Sequence, residues 1–210
     1  MAKTIRLAAA LLIIAWPAAA IVAAQDKKDP QSTYEPRSKP GSGQKFLEKF
    51  VGDWDVVKTF YPRSGEPARA TGECRQTLVH EGRFLKSEFT FQSGDVKTTG
   101  TGIIGFESET GTFTSVWTDS RSTRMSLRQS QDKFNGEEIV LYSRSLQQDG
   151  KEARRSRTVT RLEDEGRKIV HRQFTTGPDG KERLVMELLM TRKPEAARAN
   201  ESKDIPKIGK

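Results

Sequence analysis

From Asp53 onward the chain alternates apolar and polar residues in short segments separated by glycine-, asparagine- and aspartate-rich turns. A period of two belongs to strands with one buried face. The pattern predicts strands at 53–60, 68–79, 84–91, 99–106, 112–119, 125–133, 139–146, 153–162, 168–174 and 184–191. Asn135-Gly136 is the strongest hairpin signal, because both residues accept positive φ cheaply. Asp149-Gly150, Glu165-Gly166 and Gly177-Pro178-Asp179-Gly180 mark later turns. Strands joined in succession by short turns form an antiparallel meander. Closing it into a barrel removes the exposed edges, and two stacked sheets are the alternative.

One helical period precedes the strands. Gln44 to Phe50 sets Phe46, Leu47 and Phe50 on one face and ends near Gly52. So short a helix is unstable alone and must dock. Leu184, Met186, Leu188 and Met190 offer an apolar row on the last strand to receive it, with the helix closing one barrel mouth over Trp54.

The central pair, 99–106 and 112–119, carries the most distinctive pattern. Phe113, Ser115, Trp117 and Asp119 share one face, which puts a large aromatic beside a carboxylate. Gly100, Gly102 and Gly105 lie on the neighbouring strand, where a missing side chain lets a sheet coil or lets another group approach the backbone.

The ends read differently. Lys3 and Arg6, the apolar run from Leu7 to Ala15, and Val22-Ala23-Ala24 before Gln25 follow the three-part plan of a secretory signal. A cleaved segment 1–24 would place the protein in the periplasm or outside the cell, with no integral membrane association; a retained anchor is the alternative. Residues 25–43 are polar and proline-rich and read as a disordered linker, and 194–210 as a disordered tail. The barrel domain is then 44–193. Cys74 is the single cysteine and can form no internal disulfide, so the core alone must hold the domain. The formal net charge of +8 is unevenly placed: residues 45–120 carry 9 basic and 11 acidic side chains, whereas 121–172 carry 13 and 8.

Phe50-Val51-Gly52-Asp53-Trp54 after a short helix resembles the opening of calycin-like barrels, in which a G-x-W tryptophan plugs one end. Glu81-Gly82-Arg83-Phe84-Leu85, Gly105-Phe106, Val116-Trp117-Thr118-Asp119-Ser120 and Gly177-Pro178-Asp179-Gly180-Lys181 follow in order. Together they resemble a family of exported bacterial proteins that carries only a domain-of-unknown-function label, over about residues 44–192. The resemblance implies an all-β, lipocalin-like barrel of about ten strands and supplies no catalytic residues. Phe106-Glu107 departs from the aromatic-Asp pair expected there.

Three functions compete. The first is a non-catalytic barrel holding a small apolar or amphipathic molecule. Trp117 and Asp119 would form a pocket wall, and Arg157, with Tyr142 and Arg144 on the preceding strand, would fix an anionic group on the ligand. Against this, Asp119 can simply cap its turn, and Arg155, Arg157 and Arg161 can form a solvated outer stripe. The second reading uses His171, the only histidine within a predicted strand, as a ligand to haem iron or a metal, as strand histidines serve in small haem-binding barrels of the nitrobindin kind. The third is an enzyme acting on envelope lipid or glycan through Asp119 or Glu187, although no nucleophile is paired with a base. Two widely separated histidines and one cysteine give no zinc spacing. Aromatics do not interleave with the arginine stripe, so nucleic acid is not an expected partner. Trp54, Phe46 and Phe50 are assigned structural roles.

Overall fold

The alternating segments form ten strands in the computed structural model, which describes Tyr34 and residues 38–144 and 155–194. They are β1 (Gly52–Phe60), β2 (Ala68–Val79), β3 (Phe84–Ser93), β4 (Val96–Glu107), β5 (Thr112–Asp119), β6 (Ser122–Gln129), β7 (Glu138–Arg144), β8 (Arg155–Glu163), β9 (Lys168–Thr176) and β10 (Glu182–Arg192), preceded by helix α1 (Ser42–Glu48). Each strand pairs antiparallel with its neighbours in sequence, and β1 also pairs with β10, which closes the barrel. The two-sheet alternative is excluded by that closure. Among the described residues no helix is long and apolar enough to cross a membrane.

The sequence misplaced one strand. β6 was expected at 125–133 and runs Ser122–Gln129, because the turn before it is tight: Asp119 already faces Ser122, and its carboxylate accepts the Arg121 amide at 2.9 Å. Asn135-Gly136 is a turn, with Gly136 at φ +92°, but not a two-residue hairpin. Asn135 Oδ1 accepts the amides of Glu137 and Glu138 and so starts β7 from the end of a longer connection. That connection leaves β6 and β7 with one registered pair, Gln129 opposite Tyr142. Ser130 spans the thin seam: its hydroxyl accepts the Phe113 amide and donates to the Val140 carbonyl. The expected Asp149-Gly150 turn lies outside the described residues.

α1 makes the floor. Gln44 accepts the Gly41 amide at 2.7 Å and donates to the Phe106 carbonyl at 2.7 Å, so one side chain both caps the helix and ties it to β4. Gly43 is required there, since a Cβ would overlap the Phe106 ring. Phe46 packs against Phe50 and Phe134, and Phe113 joins Phe106 and Phe134 in the same aromatic cluster. Trp54 is fully buried and donates its indole N–H to the Phe50 carbonyl at 3.0 Å. From the last strand, Arg192 stacks over Trp54 at 4.1 Å and donates to the carbonyls of Lys49, Val51 and Gly166.

The apolar row expected on β10 is broken. A bulge between Leu184 and Met186 puts Leu184 opposite Phe174, while Met186, Leu188 and Met190 face inward. The helix itself lies against β3 and β4.

Phe50 is 2 % exposed and contributes both its ring and its carbonyl to the floor. Phe50→Ala is expected to cost about 3–5 kcal/mol, the usual range for a buried phenylalanine. Denaturant unfolding measures this, and a melting temperature within a degree or two of wild type would show that the floor does not depend on the helix.

Candidate functional site

Barrel closure turns strand register into rings of inward-facing side chains. Leu85, Ile104, Ser115 and Arg128 form one cross-strand row; Ser87, Gly102, Trp117 and Ser126 form the next; Phe89, Gly100 and Asp119 follow toward the β5–β6 turn. Together with α1 these rows enclose a cavity of about 410 Å³, within the range of small-molecule sites. Leu47 and Phe50 form its floor, and Lys58, Asp119 and Arg121 belong to its lining as well.

Trp117 dominates one wall. A Cβ at Gly100 would overlap its ring, and one at Gly102 would sit 3.3 Å from it. Two of the three glycines expected to permit close approach, Gly102 opposite Trp117 and Gly100 two residues along, are therefore the bed of the tryptophan, while Gly105 lies against Phe84. Its indole N–H donates to Asp119 Oδ2 at 3.1 Å, and Phe89 meets it edge-on at 5.5 Å. Burial pushes the Asp119 carboxyl up, but hydrogen bonds from Trp117, Arg121 and Ser122 and the charge of Arg121 outweigh it, leaving the group below its ordinary pKa. Asp119 thus both orients Trp117 and caps its turn.

His171 lines the cavity from β9, and its Nδ1 lies 2.8 Å from Thr160 Oγ1. Burial, with the charge of Arg128 second, lowers its pKa to about 4, so the imidazole is neutral at pH 7. Arg128 is held below its ordinary pKa by burial. Among the described residues no acceptor reaches its Nε, and no donor reaches Gln76 Oε1. Lys58 stands over the Phe91 ring at 3.5 Å, and its pKa is lowered by burial and then by Arg121. Three cationic side chains and one carboxylate therefore share the lining. Cys74 is buried, and burial followed by the charge of Asp53 raises its thiol pKa, so it is unreactive.

The residues singled out in the sequence do not all meet. Trp117, Asp119 and His171 line the cavity. Arg157 and Tyr142 face each other across β7 and β8 on the opposite parity from the lining residues Leu141 and Thr160. The carboxylate that Arg157 grips is Glu182, bound through Nε and Nη2, while its guanidinium stacks on Phe174. Arg144 pairs with Arg155 in the backbone register, and its side chain lies outside those described. Glu187 is engaged by Arg172 at 2.7 Å, on the parity opposite Met186 and Leu188.

Lys58, Gln76 and Arg128 were missed. Lys58 was legible, since Trp54, Val56, Lys58 and Phe60 alternate on one strand face. Arg128 was not, because on β6 the apolar parity faces outward: Met125 is 65 % and Leu127 64 % exposed.

A closed meander with a helical floor and an apolar cavity is a lipocalin-like β-barrel. The chain belongs to the family described as protein of unknown function (DUF1579), which matches residues 39–192. No curated protein matches it. Among solved structures it is similar to Rv2717c from M. tuberculosis, at 13 % identity and TM-score 0.54, covering 74 % of this chain and 100 % of that one. It also resembles the S-type phycobiliprotein lyase CPES from Guillardia theta, at 9 % identity and TM-score 0.47, covering 74 % of this chain and 94 % of the lyase.

Two outcomes test this geometry. Gly100→Ala is expected to destabilise by about 1–3 kcal/mol through overpacking against Trp117, with an altered indole emission. His171 makes a pH-dependent contribution whose sign follows from its lowered pKa. Above about pH 6.5 both folded and unfolded chains hold it neutral, and nothing is lost. Between pH 6.5 and about 4 the unfolded chain takes up a proton that the folded one does not, so stability falls. The loss is roughly 3 kcal/mol at most. Unfolding at pH 7 and 4.5 checks it: His171→Gln should lose less stability on acidification than wild type.

Proposed function

We propose that the protein is an exported, non-catalytic carrier that holds a small amphipathic molecule within its barrel. The observation that carries this reading is the cavity of about 410 Å³, lined by aromatic and aliphatic side chains and interrupted by a few polar groups. A core designed only for stability is close-packed. Here Trp117, Phe89 and Phe91 supply an apolar wall, while Arg128, Gln76 and His171 place polar atoms inside it. That combination suits a ligand with an apolar body and a polar end. Export is supported by the basic, apolar and small-residue succession of residues 1–24.

Native mass spectrometry of protein purified from its own host tests the proposal. A reproducible adduct released by organic solvent is expected, and Trp117→Ala should lower its occupancy. Protein that is consistently empty, and that stays so when offered amphiphiles, would sink the reading.

His171 favours a second reading, a haem-binding barrel. It lines the cavity with a neutral imidazole, and in the tautomer whose Nδ1–H donates to Thr160 Oγ1 the unprotonated Nε2 serves as the ligand. Added haem should then give a Soret band that is lost in His171→Ala; a band that survives the substitution, or never forms, excludes the histidine as ligand.

A further inference from the structure

Building on the ligand-binding reading above, we propose that Arg128 at the floor end of the cavity seats an anionic group of the ligand, whose apolar body points past Trp117 toward the β5–β6 turn. The position of Arg128 follows from register. On β5 the inward residues run Phe113, Ser115, Trp117, Asp119; Phe113 is buried against Phe106 and Phe134 of the floor cluster, and Asp119 ends the strand at the turn. Arg128 faces Ser115, one inward step above that floor. Trp117 is the next inward residue from Ser115 toward the β5–β6 turn.

The chemistry at Arg128 is incomplete without an acceptor. Its Nε is buried and unbonded, and among the described residues the guanidinium enters no ion pair. The acid in the lining, Asp119, is already engaged by Trp117 and Arg121. Arg128 is half-buried and has no charge partner among the described residues, and a carboxylate meets a guanidinium fork with two parallel hydrogen bonds. Of the other two cations in the lining, Arg121 is exposed at the turn, and Lys58 already has the Phe91 ring as a partner at 3.5 Å and Asp119 offsetting its charge.

Gln76 refines the ligand class. Its amide N–H donates to Ser87 Oγ at 2.9 Å, which leaves Oε1 facing the cavity without a donor. The cavity thus asks for an anionic oxygen at Arg128 and a hydrogen donor at Gln76. An amphiphilic acid that also carries a hydroxyl or amide N–H meets both; a simple alcohol meets neither the charge nor the fork geometry.

Calorimetric titration of the purified protein with decanoate, 2-hydroxydecanoate and decan-1-ol tests this. Decanoate should bind about tenfold or more tightly than the alcohol, as a charge-assisted hydrogen bond implies. Arg128→Met should abolish that preference while alcohol binding persists, and Lys58→Met should keep it. The hydroxy acid should exceed decanoate, with the excess lost in Gln76→Leu. Arg128→Met should also melt at or above wild type, since it removes a half-buried charge with no ion-pair partner among the described residues, and Arg128→Gln supplies a neutral polar control. A preference that survives Arg128→Met and Arg128→Gln moves the anion to Lys58 or Arg121, one that vanishes in Lys58→Met moves it to Lys58, and either overturns the proposal. Equal binding of acid and alcohol removes the anion seat but leaves the carrier reading standing. Binding of none of the three compounds defeats both.

Discussion

The barrel depends on the clamp at its closed end, where Trp54, Phe50 and Arg192 join the first strand, the helix and the last strand. A ten-stranded meander has two free edges until β1 meets β10, and their register starts at Trp54 opposite Arg192. Arg192 stacks on the Trp54 ring and donates to the carbonyls of Lys49 and Val51, which follow the helix. Trp54 in turn donates to Phe50. The Arg192 contacts lie between residues distant in sequence, so they couple barrel closure to the floor. With Cys74 alone, no internal cross-link substitutes for them.

A fixed floor lets the rest of the interior stay open. A barrel this size collapses onto its own side chains unless the walls are spaced by bulk on one strand and its absence on the next. Gly100 and Gly102 under Trp117 do this on one side. The cavity has a cost: Arg128 and Gln76 keep polar atoms unbonded in a place where water-like compensation is poor. An apolar replacement would serve stability better, which is why these two groups say more about a ligand than any of the aromatic residues around them.

Strand existence was legible in the sequence because alternation, turn residues and strand length agree for most segments. Trp117 and Asp119 sharing a face was read correctly from parity, and of the three glycines expected to permit a close approach Gly100 and Gly102 meet Trp117 while Gly105 meets Phe84. The interior was less legible because parity says which residues share a side, not which side is inward. On β6 the rule that apolar residues face in fails: Met125 and Leu127 face outward and Arg128 faces the cavity. Only the register with β5 resolves it, and that register shifts between Asp119 and Trp117 before it pairs Ser115 with Arg128. The same limit applies to β10, where the bulge after Leu184 breaks a row that looks continuous in sequence.

The basic half of the chain shows how a charge pattern can point away from a site. Its conspicuous arginines on β8 and β9 are matched on the outside of the barrel, Arg157 by Glu182, Arg161 by Glu138 and Arg172 by Glu187. Such exposed pairs add little stability and leave no unmet charge for a ligand. Arg128 looks unremarkable in the same stretch, yet it has no carboxylate partner among the described residues and is half-buried in the cavity wall, where solvent screening is weaker than outside. Coulombic attraction grows as the surrounding dielectric falls. One unpaired interior cation therefore exerts more selective pull on an anion than the paired arginines outside, Arg157, Arg161 and Arg172. The functional weight of the charge lies in its placement, not in its amount.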